Sequence, residues 1–226
     1  MDWTALWLSL KLGAMTILVL IPVALFTARF LAYRRFVGKP VAEALLAVPL
    51  VLPPTVVGYY LLVGLGNQSW LGQWLMQTTG HFLVFHFSGL LLASIIVNIP
   101  FAVQPIQRGF EAIPQDVRDA AACCGMSSLR MLFTVELPLA WPGIVTAIVL
   151  TFAHTLGEFG VVLMVGGSLP GETKTIAISI YDRVQALDFA AAGNMSLMLL
   201  VFSVVVLALA NSLSRKFGRR GGYHEL

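Results

Sequence analysis

Residues 111–138 read EAIPQDVRDAAACCGMSSLRMLFTVELP and lie in a stretch, about 108–139, that has the make-up of a soluble segment while the chain on either side is apolar. Pro114 suits the first turn of a helix, where its missing N–H costs nothing. Asp116 and Asp119 fall early in that helix and complement its dipole. Ala120, Ala121 and Ala122 are strong helix formers with small side chains. Gly125 permits a sharp C-terminal stop. Ser127 or Ser128 suits the cap of a second short helix through Phe133, which Pro138 and Pro142 end before the next apolar run. The segment therefore predicts two short helices joined by a turn, with a small-residue face of the kind that seats in a partner's groove. The plain alternative is an ordinary loop.

Outward from this segment, composition decides the class. Of 226 residues, 58% are hydrophobic and 11% charged, against roughly 25% charged in ordinary soluble domains. A helix crosses a hydrocarbon core of about 30 Å with roughly 20 apolar residues. Five windows qualify, at about 12–30, 41–65, 89–107, 141–165 and 190–213. The expected fold class is an all-α membrane protein, with residues 1–226 forming a single transmembrane domain. The first window is too long for a removable signal peptide and runs into a basic loop, so it reads as a retained span. Pro22 lies inside it, and Pro100 and Pro105 lie in the third. Pro53 and Pro54 remove two backbone donors from the second span and must bend or break it. Broken helices at membrane depth line cavities rather than face lipid. Residues 66–87 read as a polar-aromatic loop, 166–171 as a Gly/Pro turn, and 174–188 as a short amphipathic helix at the far surface.

Charge placement gives the topology. Arg29, Arg34, Arg35 and Lys39 follow the first span. Arg108, Arg118 and Arg130 follow the third, and Arg215, Lys216, Arg219 and Arg220 fill the tail. Lys11, Lys174 and Arg183 fall on the other side. By the positive-inside rule the chain is multi-pass, with its N-terminus outside and its C-terminus in the cytoplasm. The net charge of +3 is too small to argue for nucleic acid. Adjacent Cys123 and Cys124 do not form a C-x-x-C pattern and read as small packed residues. His81 and His86 lack metal-ligand spacing, so no metal site is expected.

The pattern Asp119-Ala120-Ala121-x3-Gly125-x9-Val135-x-Leu137-Pro138 resembles the EAA loop of ABC importer permeases, E-A-A-x3-G-x9-I-x-L-P. The spacing is complete, with Asp for Glu at 119 and Val for Ile at 135. The resemblance implies a type I importer permease fold in the cell inner membrane. It implies that this loop is a coupling helix docking on a separate ATPase, and that two permease copies enclose a pore on their two-fold axis. The sequence has no G-x-x-x-x-G-K-[ST] loop, so ATP and Mg are expected in the partner ATPase. No cofactor and no catalytic residue are expected here. A periplasmic or extracellular oxyanion-binding protein would deliver the cargo.

Three further stretches carry a resemblance to molybdate permeases: Pro49–Gly58 (PLVLPPTVVG), Leu156–Gly160 (LGEFG) and Pro170–Thr175 (PGETKT). Sulfate and thiosulfate permeases share versions of the first two. Molybdate is the expected cargo, with tungstate, sulfate and thiosulfate as alternatives. Glu158 lies inside the fourth span, where a carboxylate needs a partner, and His154 sits four residues earlier on the same face. The resembled pattern usually carries Arg at the His154 position. Thr55, Asn98, Gln104 and Gln107 are candidates to line a weakly polar pore or to bond helix to helix. The Trp and Tyr residues near span ends read as interface anchors. An intramembrane enzyme would need a nucleophile or second acid beside His154 and Glu158. A mere membrane scaffold would need neither broken helices nor the complete loop pattern.

Overall fold

The computed structural model describes residues 2–218. All regular elements among them are helical: α1 Trp3–Tyr33, α2 Lys39–Val51, α3 Pro54–Leu65, α4 Trp70–Thr79, α5 Phe87–Glu111, α6 Gln115–Cys123, α7 Ser128–Met131, α8 Leu137–Gly157, α9 Gly160–Gly166, α10 Ile176–Gln185 and α11 Phe189–Gly218. A π-helical turn, Leu132–Glu136, joins α7 to α8. Four runs are long and apolar enough to cross a membrane: α1, α5, the continuous run from Ser128 to Gly157, and α11. A fifth candidate is the pair α2 and α3, apolar enough together and bent by 106° across Leu52 and Pro53. The proline pair thus breaks its helix as expected. Of the basic tail, Arg219 and Arg220 lie outside the described residues.

Four details differ from the sequence reading. The first span begins at Trp3, where Asp2 caps it by accepting from the Ala5 N–H at 3.0 Å. Residues 66–87 are not all loop, because Ser69 caps α4 by accepting from the Gly72 N–H at 2.8 Å. Pro138 and Pro142 do not end a helix. The π-turn just before them widens the ladder where the Pro138 ring would otherwise meet a carbonyl one turn back, so the chain runs straight into α8. The fourth span is not continuous to residue 165, since it breaks at Glu158 and Phe159 and resumes as α9.

The core lies between α1, α5 and α8. Ala24 and Ala28 of α1 meet Ala102, Ile106 and Phe110 of α5 and Ala140, Ile144 and Ala147 of α8. Lipid tails are as apolar as leucine, so close backbone approach rather than water exclusion holds such helices together. The approach is tightest between α5 and α8. A Cβ placed on Gly143 would stand 2.5 Å from the Pro105 carbonyl oxygen and 3.1 Å from the Gly109 Cα. A second cluster, Val57, Ala93, Val97, Val161 and Val165, packs α3 and α9 on the N-terminal half of α5. The outward faces of α1 and α11 expose Leu18, Val23 and Phe26, and Leu197, Leu200 and Val204, surfaces suited to lipid or to another chain.

At the end opposite α6, α10 is tied to α1. The Ser179 hydroxyl donates to Asp2 at 2.8 Å, and the Ile176 N–H donates to the Ser9 hydroxyl at 2.8 Å. Burial works against ionisation of Asp2. The Ala5 and Ser179 hydrogen bonds and the charges of Lys174 and Arg183 outweigh it and hold the carboxyl below its usual range.

Gly143→Leu is expected to destabilise the detergent-solubilised protein by about 1–3 kcal/mol or to block its folding. Gly193→Ala, where the added Cβ meets nothing within 4 Å, should leave the melting temperature unchanged or slightly raised. Thermal unfolding monitored by size-exclusion chromatography checks both.

Candidate functional site

The two broken helices abut. Gly160 opens α9 just past the Glu158–Phe159 break, and a Cβ on it would stand 2.9 Å from the Pro54 Cβ and 3.5 Å from the Thr55 nitrogen. Further along, Gly58 of α3 lies against Met164 and Val161 of α9. Only glycine allows these backbones so close. Non-helical backbone is tolerated at membrane depth where it is buried in protein or lines a cavity. Thr55 sits at the start of α3 with its side chain exposed.

Glu158 satisfies the break from within. One carboxylate oxygen accepts from the Val161 N–H at 3.0 Å, serving the N-terminus of α9. The other stands 3.6 Å from His154 Nε2. His154 stacks on Phe101, ring centres 4.2 Å apart, and its Nδ1 lies 3.2 Å from Asn98 Oδ1. Asn98 is fully buried half way along α5, and it donates to the Ser94 carbonyl at 2.8 Å and the Thr155 hydroxyl at 3.1 Å. Thr16 of α1 donates to the Ser94 hydroxyl at 2.9 Å. Thr16, Ser94, Asn98, Thr155, His154 and Glu158 thus form one polar chain across α1, α5, α8 and the break. Asn98 belongs to this interior chain and does not line an open cavity. Gln104 and Gln107 do line one, of about 490 Å³, with Lys39, Glu43, Arg108 and Glu111. There the Gln107 amide donates to Glu43 at 2.8 Å and Glu111 at 2.9 Å.

The soluble segment forms a separate feature at the end of the bundle where α1 and α5 finish. Pro114 stands just before α6 rather than inside it. Gly125 adopts φ +73°, and the Met126 N–H reaches back to the Ala121 carbonyl at 3.3 Å, so the predicted stop is a left-handed glycine turn. Ser127 caps α7 by accepting from the Arg130 N–H at 3.4 Å. Asp119, Ala120 and Gly125 are exposed, Ala121 is buried, Val135 and Leu137 are half-buried, and Pro138 is exposed. Cys123 and Cys124 are exposed rather than packed. Sequence reasoning passed over Glu136, which is fully buried between Arg29 and Arg118. Its signal was a single carboxylate in an otherwise uncharged run from Met131 to Leu139.

At the opposite end, the 170–175 stretch is a latch. Its Thr173 hydroxyl donates to the Gly166 carbonyl at 2.6 Å and accepts from the Leu169 N–H at 3.1 Å. Glu172 accepts from the Phe87 N–H at 3.3 Å, and Lys174 pairs with Asp182 at 2.6 Å. Among the described residues, no group of three or more His, Cys, Asp or Glu gathers as a metal site.

This architecture has known counterparts. Over 95% of the chain it superposes on 79% of a chain of a bacterial ABC transporter that imports the polysaccharide alginate, at 16% identity and a TM-score of 0.78. Over 96% of the chain it superposes on 94% of a chain of the MetNI methionine ABC transporter in an inward-facing form, at 14% identity and a TM-score of 0.69. In sequence it is 44% identical to the molybdenum transport system permease protein ModB of Azotobacter vinelandii, over 96% of this chain and 95% of that protein. Identity to ModB of Escherichia coli K12 is 34%, over 98% and 97%. Identity to the sulfate transport system permease CysT of Salmonella typhimurium is 30%, over 87% and 70%. Residues 20–220 match the family of binding-protein-dependent transport system inner membrane components, and the chain belongs to that family.

Proposed function

We propose that this chain is the pore-forming permease subunit of an ATP-driven molybdate importer. The observation that carries the proposal is similarity along nearly the whole chain to molybdenum permeases, 44% in one case, joined to an exposed segment with the complete coupling pattern. Two copies enclose the pore. A separate pair of ATPase subunits binds ATP and Mg, and an external oxyanion-binding protein delivers the cargo. The segments rich in Arg and Lys after the first and third spans meet at one end of the bundle through Arg29, Glu136 and Arg118. That shared end is the cytoplasmic one, which leaves the N-terminus outside.

Transport follows from alternating access. Closure of the ATPases draws the two copies of α6 together and favours the outward-facing state, and hydrolysis restores the inward-facing one. The abutting breaks at Leu52–Pro53 and Glu158–Phe159, with Thr55 beside them, mark the route through the membrane. The interior chain around Asn98, His154 and Glu158 fixes the helices that border it. A bare carboxylate on the path of an oxyanion would repel it, which agrees with Glu158 being spent on the α9 N-terminus and His154.

The deciding experiment reconstitutes the chain with its ATPase and binding protein in liposomes and follows ATP-dependent uptake of labelled molybdate. Uptake that persists in excess sulfate supports the molybdate reading. Uptake abolished by sulfate changes the cargo and keeps the importer, a reading favoured by the similarity to a sulfate permease. Failure to bind any ATPase overturns both. In the same system, Asp119→Ala and Gly125→Val are expected to lower uptake several-fold while the complex still assembles. At Gly125 the left-handed backbone costs a side chain about 1–2 kcal/mol, enough to displace the turn after α6. Undiminished uptake in both variants would remove the coupling role of this segment.

A further inference from the structure

Glu136 occupies an expensive position. Its side chain is wholly buried, flanked in sequence by Val135 and Leu137, and placed by the wide π-turn at the head of α8. An uncompensated charge there would not be tolerated. Compensation comes from two separate bodies. Arg29, near the end of α1, donates from Nε to Oε2 at 2.5 Å, and Arg118, in α6, donates from Nε to Oε1 at 3.2 Å. Both arginines are themselves fixed. Arg29 also donates to the Ser128 carbonyl at 3.3 Å and hydroxyl at 3.1 Å. The Arg118 guanidinium lies 3.4 Å above the Tyr33 ring, and the Tyr33 hydroxyl donates to the Phe110 carbonyl at 3.1 Å. One carboxylate therefore joins α1, the end of α5, α6, α7 and α8.

The attachment of α6 is otherwise slight. Ala121 is its one buried residue, and its exposed face is the conspicuous one. A shift of α6 that left the bundle behind would pull Arg118 from Glu136 and leave the carboxylate half-compensated in a dry site. Breaking one side of a buried pair is strongly unfavourable, so Arg118 and Glu136 favour moving as a unit. We infer that Glu136 is the positioning residue through which a displacement of α6 is passed to α1 and α8, Arg118 acting as the arm on the α6 side. The inference rests on α6 being the helix that docks on the ATPase. It adds which contact makes that docking mechanically effective. The sequence pattern leaves position 136 unspecified, so the role belongs to this chain's own charge set.

Glu136→Gln and Arg118→Met test it in the complex reconstituted with ATPase and binding protein. Arg118→Met keeps the Arg29–Glu136 pair and most of the side-chain volume but should lower the melting temperature, whereas Glu136→Gln removes the buried charge and guards against misfolding. Assembly, melting temperature, ATP hydrolysis and labelled molybdate uptake are measured together. The expected result is near-normal assembly and hydrolysis with uptake per ATP reduced about tenfold, within the usual range for a coupling interaction. A second readout is the distance between spin labels at Cys123 (with Cys124→Ala) and at Arg34→Cys. It should stay constant on ATP binding in the parent and change by several ångströms in Glu136→Gln. Unchanged uptake per ATP and unchanged distances in both variants overturn the inference. Cross-linking from Cys123 to the ATPase is run alongside. Its absence overturns the docking reading and this inference with it, whereas cross-linking with intact coupling in the variants overturns the inference alone.

Discussion

In a bilayer every backbone N–H and C=O must find its partner inside the protein, because no water is there to supply one. The fold follows from how this chain meets that demand where its helices are interrupted. At Pro53 and Pro54 two donors are missing by chemistry. At Glu158 and Phe159 the ladder stops, and the new N-terminus of α9 is served by the Glu158 carboxylate. The interruptions lie against one another, with glycine at residues 58 and 160 allowing the approach. Glu158 is buried at its break, while Pro53, Pro54 and Thr55 stay exposed at theirs. The intact spans α1, α5 and α8 provide the rigid wall on which this irregular pair is mounted.

The same economy governs the polar side chains. Within the bundle they are strung into one chain from Thr16 to Glu158, so Asn98 satisfies its neighbours instead of facing an opening. At the end of the bundle a second set gathers around Glu136. The first set joins spans to one another, and the second joins the spans to α6. Between them the apolar contacts combine alanine and valine with leucine, isoleucine and Phe110.

Much of this was legible in residue order. The apolar windows located the four long spans and the bent fifth candidate, the proline pair located the sharpest bend, and Gly125 located the left-handed turn. What escaped depended on distant partners or on weak local signals. The break at Glu158 carries no proline, only glycines at 157 and 160. Helix α4 was hidden in a polar-aromatic stretch whose one clear mark was Ser69. Pro138 and Pro142 read as stops because the preceding π-turn, which accommodates them, has no sequence signature of its own. Glu136 escaped because Arg29 lies 107 residues away along the chain. The direction of Asn98 was undecidable from its helix alone, since its partners beyond α5, Thr155 and His154, lie on α8, more than 50 residues on.

The latch at residues 170–175 bears on how sequence likeness is read in such proteins. Thr173 closes on Gly166 and Leu169, Glu172 on the start of α5, and Lys174 on α10. Each of these polar groups is occupied in holding the loop to the bundle. The resemblance of this stretch to molybdate permeases therefore falls on side chains engaged in fastening a loop, not on side chains left open to a passing ion.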